Sequence, residues 1–237
     1  MRNVPALTWR EINSAFFSPL AYVVLTLFLF FSGFFFYLIA ESSREASMAG
    51  TIGIISFLFL VATPFLTMRL LSEEYRSGTI ETLMTAPVTD LEVILGKFLG
   101  VFIFYVALLA ATLVYVLLLF AYGAPDLGVI LSGYLGMLLL GALYVAVGVF
   151  ASSLTRHQLV AAIVGIGLLS LFTLVIDAFA AWRGGTWRTV LGYMNILRQF
   201  GDFSKGMLDT KSIVFFITGT VFALFLAVKV VESRRWR

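Results

Sequence analysis

The 237-residue chain contains no cysteine and a single histidine. The first absence excludes a disulfide framework and any thiolate metal site. The second excludes a metal centre built from several imidazoles, so metalloprotease-like intramembrane catalysis is not expected. Charge is scarce too: 12% of the residues are Asp, Glu, Lys or Arg, where soluble domains carry about 25%. No Gly-x4-Gly-Lys-Ser/Thr phosphate loop is present, and Gly96-Lys97-Phe98 lacks its context. Any use of ATP must therefore come from another chain.

What is abundant is apolar surface. Hydrophobic residues make up 61% of the chain, 24 of them Phe, and the mean hydropathy is +1.02. A soluble globule of this composition could not cover its surface with polar groups. A soluble enzyme, a nucleic-acid-binding domain and a disordered chain are all excluded, and a polytopic membrane protein in a lipid bilayer remains.

Ionisable groups are expensive in hydrocarbon, so charge-free intervals mark the spans. They run over 12–40, 46–68, 98–125, 127–155, 157–176 and 212–228. A membrane helix needs about 20 apolar residues. Six transmembrane helices follow, near 20–40, 51–70, 98–122, 128–153, 158–180 and 212–231, in a single transmembrane domain covering 1–237. Lys229 can snorkel to lengthen the last one. Alternating segments of about ten residues, which a β-barrel requires, are missing. The expected fold class is all-α. The first span exceeds a signal h-region of roughly 7–15 residues, so it is expected to stay as an anchor.

Six spans put both termini on one side. That side would hold ten of the 16 Lys and Arg residues, the other six. The excess places both termini in the cytoplasm. Gly136, Gly141 and Gly148 in the fourth span, with Ala161, Gly165 and Gly167 in the fifth, suit close helix packing.

Four segments stand out from the apolar body. The first is the inner loop from Met68 to Lys97, with eight charges in 30 residues. Thr79 to Thr85 can form a short helix that stops before Pro87, placing Ile80, Leu83 and Met84 on one face and Glu81, Thr82 and Thr85 elsewhere. Thr89 followed by Glu92 is a capping-box signature that starts the next helix. An ordinary solvated loop accounts for these charges, and so does a stiff helix presented to a partner protein. The second segment, Pro5 to Pro19, has Leu7, Ile12 and Phe16 broadly on one side and Arg10, Glu11 and Asn13 elsewhere, as an interfacial helix (5–18) would.

The third is the outer loop 182–211, rich in aromatics: Trp182, Trp187, Tyr193, Phe200 and Phe203. An aromatic belt explains them, and so do small interfacial helices closing an outer gate. The fourth is a set of isolated ionisable groups. Asp177 ends span five as either a solvated end charge or a functional carboxylate, and His157 sits beside Arg156 at that span's start. No ionisable group falls at mid-membrane, which argues against proton- or sodium-coupled carriers.

The inner loop also carries a resemblance. Arg69, the run Glu73-Glu74-Tyr75-Arg76-Ser77-Gly78-Thr79-Ile80-Glu81-Thr82-Leu83, then Ala86-Pro87-Val88 and Gly96-Lys97 resemble the signature of the ABC type-2 exporter permeases. Gly201 to Asp209, with Glu232-Ser-Arg-Arg-Trp-Arg237, resembles the branch named after gliding motility and nitrous-oxide reductase maturation. The resemblance implies six spans, an N-terminal elbow helix, and a cytoplasmic coupling helix docking on a separate ATPase subunit.

Glu73, Glu74, Arg76, Gly78, Thr79, Ile80, Glu81, Thr82, Leu83, Met84 and Pro87 would then serve ATPase coupling. Asp202, Phe203, Lys205, Gly206 and Asp209 would form the outer gate or partner loop. The chain would be a non-catalytic subunit in a bacterial inner membrane. It would pair with a second copy or a homologous permease, with ATP and Mg held by the cytoplasmic ABC ATPases. The competing reading is an assembly or anchoring subunit that hands work to an extracytoplasmic accessory protein and moves no solute.

Overall fold

A computed structural model describes residues 3–43, 47–79, 88–183 and 192–235. Among these the fold is all-helical, with no strand. Six helical stretches are long and apolar enough to cross a membrane, so the chain is a multi-pass membrane protein. In hydrocarbon the helix is the element that satisfies every backbone group within its own segment, which is why apolar runs of this length adopt it.

In chain order the helices are α1 (Val4–Phe16), α2 (Pro19–Ser43), α3 (Ala49–Thr67), α4 (Ser72–Ser77), α5 (Asp90–Ala111) and α6 (Leu113–Tyr122). There follow α7 (Leu127–Leu154), α8 (Gln158–Ser170), a π-helical turn (Leu171–Val175), α9 (Ile176–Arg183), α10 (Ile196–Ser204) and α11 (Thr210–Arg235). The third span is one apolar stretch broken into α5 and α6 at Thr112. There the Thr112 N–H and hydroxyl both turn back to the Leu109 carbonyl, at 3.1 and 2.6 Å. The span also starts earlier than its charge-free interval, at Asp90. Thr89 and Glu92 close the capping box expected of them, Glu92 N–H donating to Thr89 Oγ1 at 3.2 Å and Thr89 N–H to Glu92 Oε2 at 3.1 Å.

α7 is the central helix: 67% of its apolar window is buried, against 17% for α2. It touches α3, α5, α8, α10 and α11. Its glycines make this possible. A Cβ on Gly141 would lie 2.1 Å from the Tyr105 ring, one on Gly148 2.2 Å from Thr67 Oγ1, and one on Gly136 2.6 Å from Phe203 Cβ. Tyr105 fills the Gly141 notch and donates its hydroxyl to the Met137 carbonyl at 2.7 Å. Gly165 on α8 faces Pro64 and Ala151, and Ala161 is buried; Gly167, by contrast, faces open space and marks no contact. α2 meets the bundle chiefly along α3. Nearer its C-terminal end it is held to α6, where Ser32 Oγ and Tyr115 OH lie 2.8 Å apart and Phe36 stacks on Tyr115.

Candidate functional site

The end of the bundle bearing α1 gathers most of the charged groups near spans. At this end α3 gives way to α4. Pro64 lies inside α3, and the chain turns through 68–71 before α4. The free backbone groups of that turn are met from α7. Ser152 Oγ accepts the N–H of Leu71 at 3.1 Å and of Ser72 at 3.2 Å, and donates to the Met68 carbonyl at 3.1 Å. Ser72 Oγ donates to the same carbonyl. One buried hydroxyl thus clamps both sides of the joint to the central helix. α4 ends at Gly78 with φ 74°, a left-handed conformation that costs other residues roughly 1–2 kcal/mol. On its flank the Arg234 guanidinium from α11 lies 4.3 Å over the Tyr75 ring and donates to the Leu154 carbonyl at 2.6 Å. That contact ties α11, α4 and the end of α7 together.

Beside the joint stands a network of two cations and two carboxylates. Lys97 Nζ reaches Glu74 Oε1 at 2.8 Å and Glu11 Oε1 at 3.1 Å; Arg10 Nη2 reaches Glu11 Oε1 at 3.0 Å and Glu74 Oε1 at 3.1 Å. It links α1, α4 and α5. Burial lowers the Arg10 pKa, but the hydrogen bond and charge of Glu11, with those of Glu74, outweigh it and hold the guanidinium above its ordinary value.

The network exists because α1 lies directly on α5. Gly96 and Gly100 form a small-xxx-small pair, and Cβ atoms there would lie 2.6 Å from Leu7 Cβ and 2.5 Å from Glu11 Cβ. Phe16 completes the contact edge-on to Phe104, with ring centroids 5.0 Å apart. Two expectations change here. Glu11 does not face away from the apolar side of α1; it points inward over Gly100. Lys97, counted with the solvated charges of the inner loop, is instead buried on the helix that the Thr89 cap starts, 2% exposed, a cation tolerated because two carboxylates meet it.

Of the coupling residues expected from the sequence, Glu74 is drawn into this network, while Glu73, Arg76, Gly78 and Thr79 are exposed around α4. Ser77 Oγ and Thr79 Oγ1 lie 2.8 Å apart. Ile80, Glu81, Thr82, Leu83, Met84 and Pro87 lie outside the described residues. Sequence reasoning missed Ser152 altogether and gave Lys97 and Glu11 no role. The Gly96-x-x-x-Gly100 spacing was the one available signal for the α1 contact.

At the opposite end α10 folds back into the bundle. Phe203 and Phe200 are buried against the Gly136 notch, Ser132 Oγ donates to the Phe203 carbonyl at 2.8 Å, and Phe203 lies 6.1 Å from Phe216. Asn195 caps α10 by accepting the Arg198 N–H at 2.8 Å and donates to the Thr173 carbonyl in the π turn at 2.7 Å. Lys205 and Gly206 end α10, with Gly206 at φ 86°, and the Asp202 carbonyl accepts from Lys205 and Met207. Asp209 accepts the Lys211 N–H at 3.0 Å where α11 begins. Trp182 and Tyr193 are exposed. Trp187 and the side chain of Asp177 lie outside the described residues. His157 is exposed ahead of α8.

Comparison with known proteins decides the family. The family model described as "ABC-2 family transporter protein" matches residues 37–231. The chain belongs to this ABC-2 family. It is similar to the probable multidrug ABC transporter permease YbhR of Escherichia coli strain K12, 25% identical over 156 residues that cover 64% of this chain and 41% of the relative. The corresponding protein of Escherichia coli O157:H7 matches to the same extent. The chain thus spans about two fifths of the length of the curated relatives it matches. All of the ABC-2 match from residue 37 onward falls on the spans and their connections, and α1 lies ahead of it.

Proposed function

We propose that this ABC-2 protein is the transmembrane permease subunit of an ATP-binding-cassette transporter, with both termini cytoplasmic in a bacterial inner membrane. A second copy or homologous permease completes the transmembrane unit, and separate ATPase subunits holding ATP and Mg dock at the α1 end. The segment 79–87 receives their push. The observation that carries this reading is the fastening of α4, the helix leading into that segment. It is held to α7 through Ser152, to α5 and α1 through Glu74, and to α11 through Tyr75 and Arg234. A displacement of the segment is therefore delivered to four other helices at once.

Asp202, Phe203, Lys205, Gly206 and Asp209 belong, on this reading, to the outer closure. The gliding-motility and nitrous-oxide branch is supported by the 201–209 stretch and the basic tail. An anchoring role is favoured by one feature of the opposite end, a polar cleft of about 290 Å³ lined by Arg198, Gln199, Asp202, Asp209 and Lys211, where an extracytoplasmic accessory protein has charged groups to engage.

The test is purification of the tagged chain from its native host in mild detergent. A stoichiometric ATPase with vanadate-sensitive hydrolysis is expected to accompany it, and Glu81→Lys or Gly78→Pro is expected to separate hydrolysis from transport without preventing membrane insertion. A chain that purifies without a nucleotide-hydrolysing partner, or full activity in both variants, overturns the reading.

A further inference from the structure

Span five is not one continuous α-helix. α8 passes through the π turn Leu171–Val175 before α9 begins, and there the Ile176 N–H bonds the Leu171 carbonyl, five residues back. Such turns are rare, stand singly inside α-helices and fall frequently at functional sites. The turn itself contains no Pro or Gly. Two side chains hold it. Thr173 Oγ1 donates to the Leu169 carbonyl at 2.7 Å, a back-bond of the kind that bends helices. Asn195 Nδ2 donates to the Thr173 carbonyl at 2.7 Å from outside the span. Both residues are 2% exposed, so solvent is kept from these bonds.

Asn195 is also the N-cap of α10, its Oδ1 accepting the Arg198 N–H at 2.8 Å. One amide is thus committed at its oxygen to α10 and at its nitrogen to the turn. α10 is seated by Phe203 and Phe200 at the Gly136 notch and by Ser132 Oγ on the Phe203 carbonyl. The bond from Asn195 to the turn therefore requires α10 in its seat. Beyond the turn α9 is held by little: among the described residues it packs chiefly on the turn itself, and Ala178, Phe179 and Trp182 are exposed. Which way α9 faces is set by the register of the turn. Closing a π turn to α advances every later residue by one position, a rotation of about 100° and a rise of about 1.5 Å. On a helix about 10–12 Å across, a surface side chain then moves by about 8 Å.

We propose that Asn195 is the latch of a register switch in span five. With α10 seated, Asn195 holds the Thr173 carbonyl and the turn stays π. When α10 leaves its seat the turn closes to α, and α9 rotates by one residue and re-aims Phe179 and Trp182. The position of α10 is thereby passed to span five, and by linkage the state of the turn bears equally on the seating of α10. The switch uses this chain's own contacts and needs neither an ATPase nor a transported solute.

The chain has no cysteine, so spin labels attach only where cysteines are introduced. In the full chain in lipid nanodiscs, Ala178→Cys on α9 and Lys205→Cys at the end of α10 are each measured by double electron–electron resonance. The reference labels are Leu131→Cys on α7 and Val214→Cys on α11; all four positions are exposed. Asn195→Ser keeps an N-cap acceptor but is too short to reach the Thr173 carbonyl. A second, discrete set of α9 distances, displaced by several ångströms, is expected to dominate. Gly136→Ala acts from the other side: its Cβ would lie 2.6 Å from Phe203 Cβ, which displaces α10 and leaves Asn195 and the turn unaltered in sequence. The same α9 distances are expected. Deleting Leu174 takes the extra residue out of the turn, and in that background Asn195→Ser is expected to leave α9 where it is. Unchanged α9 distances in Asn195→Ser overturn the proposal without any other variant. So does a distribution that only broadens about the parent distance, an α9 that stays put while Gly136→Ala displaces α10, or an α9 that still moves in the deletion background.

Discussion

Lys97 offers the sharpest test of how α1 and α4 are held. Its side chain is 3% exposed and meets two carboxylates that are themselves 11% and 17% exposed. Lys97→Met removes the charge and keeps most of the apolar volume, leaving Glu11 and Glu74 to share Arg10. Removing one partner of a buried ion pair typically costs about 3–5 kcal/mol, because the other charge remains buried and uncompensated.

Arg10 makes the same two contacts at similar distances, yet its side chain is 51% exposed. Solvent screens such pairs to about 1 kcal/mol or less, so Arg10→Met is expected to cost no more than that. The predicted ranking therefore follows from burial and not from distance. Restoring charge balance in Lys97→Met/Glu11→Gln leaves one cation with one carboxylate, and is expected to return about 2 kcal/mol of the loss, within the usual range for coupled neighbours. The assay is reversible unfolding of the purified chain in mixed dodecyl maltoside and SDS micelles, followed by tryptophan fluorescence. The reasoning fails if the Lys97 and Arg10 variants are equally stable, or if the double variant is no more stable than Lys97→Met.

Three further outcomes are expected. Gly96→Leu pushes α1 off α5, since even a Cβ there would lie 2.6 Å from Leu7 Cβ; overpacking of this kind costs about 1–3 kcal/mol, and amide exchange in α1 is expected to accelerate. Ser152→Ala strips two backbone N–H groups of their partner, at about 1–3 kcal/mol for a buried donor left unmet; faster exchange at Leu71 and Ser72, with the rest of α7 unchanged, is the signature to measure. Asn195→Ala removes a helix cap and the bond to the Thr173 carbonyl. A lost cap costs about 0.5–2 kcal/mol, and limited proteolysis is expected to cut first around α10.

The features legible in the sequence were those written in local composition. Charge-free intervals of sufficient length located six helices, because hydrocarbon excludes charge whatever the tertiary arrangement. Thr89 and Glu92 announced a helix start through a motif only three residues apart. Glycines in α7 were readable as packing sites, though which side chain fills each notch was not: Gly141 is filled by Tyr105, from another span. The breaks were invisible for a related reason. Thr112 and the π turn at Leu171–Val175 interrupt hydrogen bonding without interrupting hydropathy. The ion network was missed because Lys97 and Glu11 are 86 positions apart, and a lysine beside an apolar run looks like the end of a loop until α1 is laid across it. Ser152 was missed because a small hydroxyl in a small-residue stretch carries no sign of the turn it satisfies.

The two ends of the bundle are fastened by forces that respond differently to displacement. At the α1 end Glu74 shares its oxygen between Lys97 and Arg10, and Coulomb attraction falls only as the inverse of distance. A movement of α4 by an ångström weakens these pairs gradually, and the half-exposed Arg10 can follow. At the opposite end Phe203 sits in a notch only a glycine can provide. Dispersion contacts lose a quarter to a half of their strength over a gap of about 0.5–1 Å, so α10 is either seated or out. Between them the Ser152 clamp is short-ranged and passes motion of the α3–α4 joint directly into α7. Since α7 carries both Ser152 and Gly136, a shift at the joint reaches the α10 seat along a single rigid helix, which makes α7 the element whose alteration should disturb both ends together.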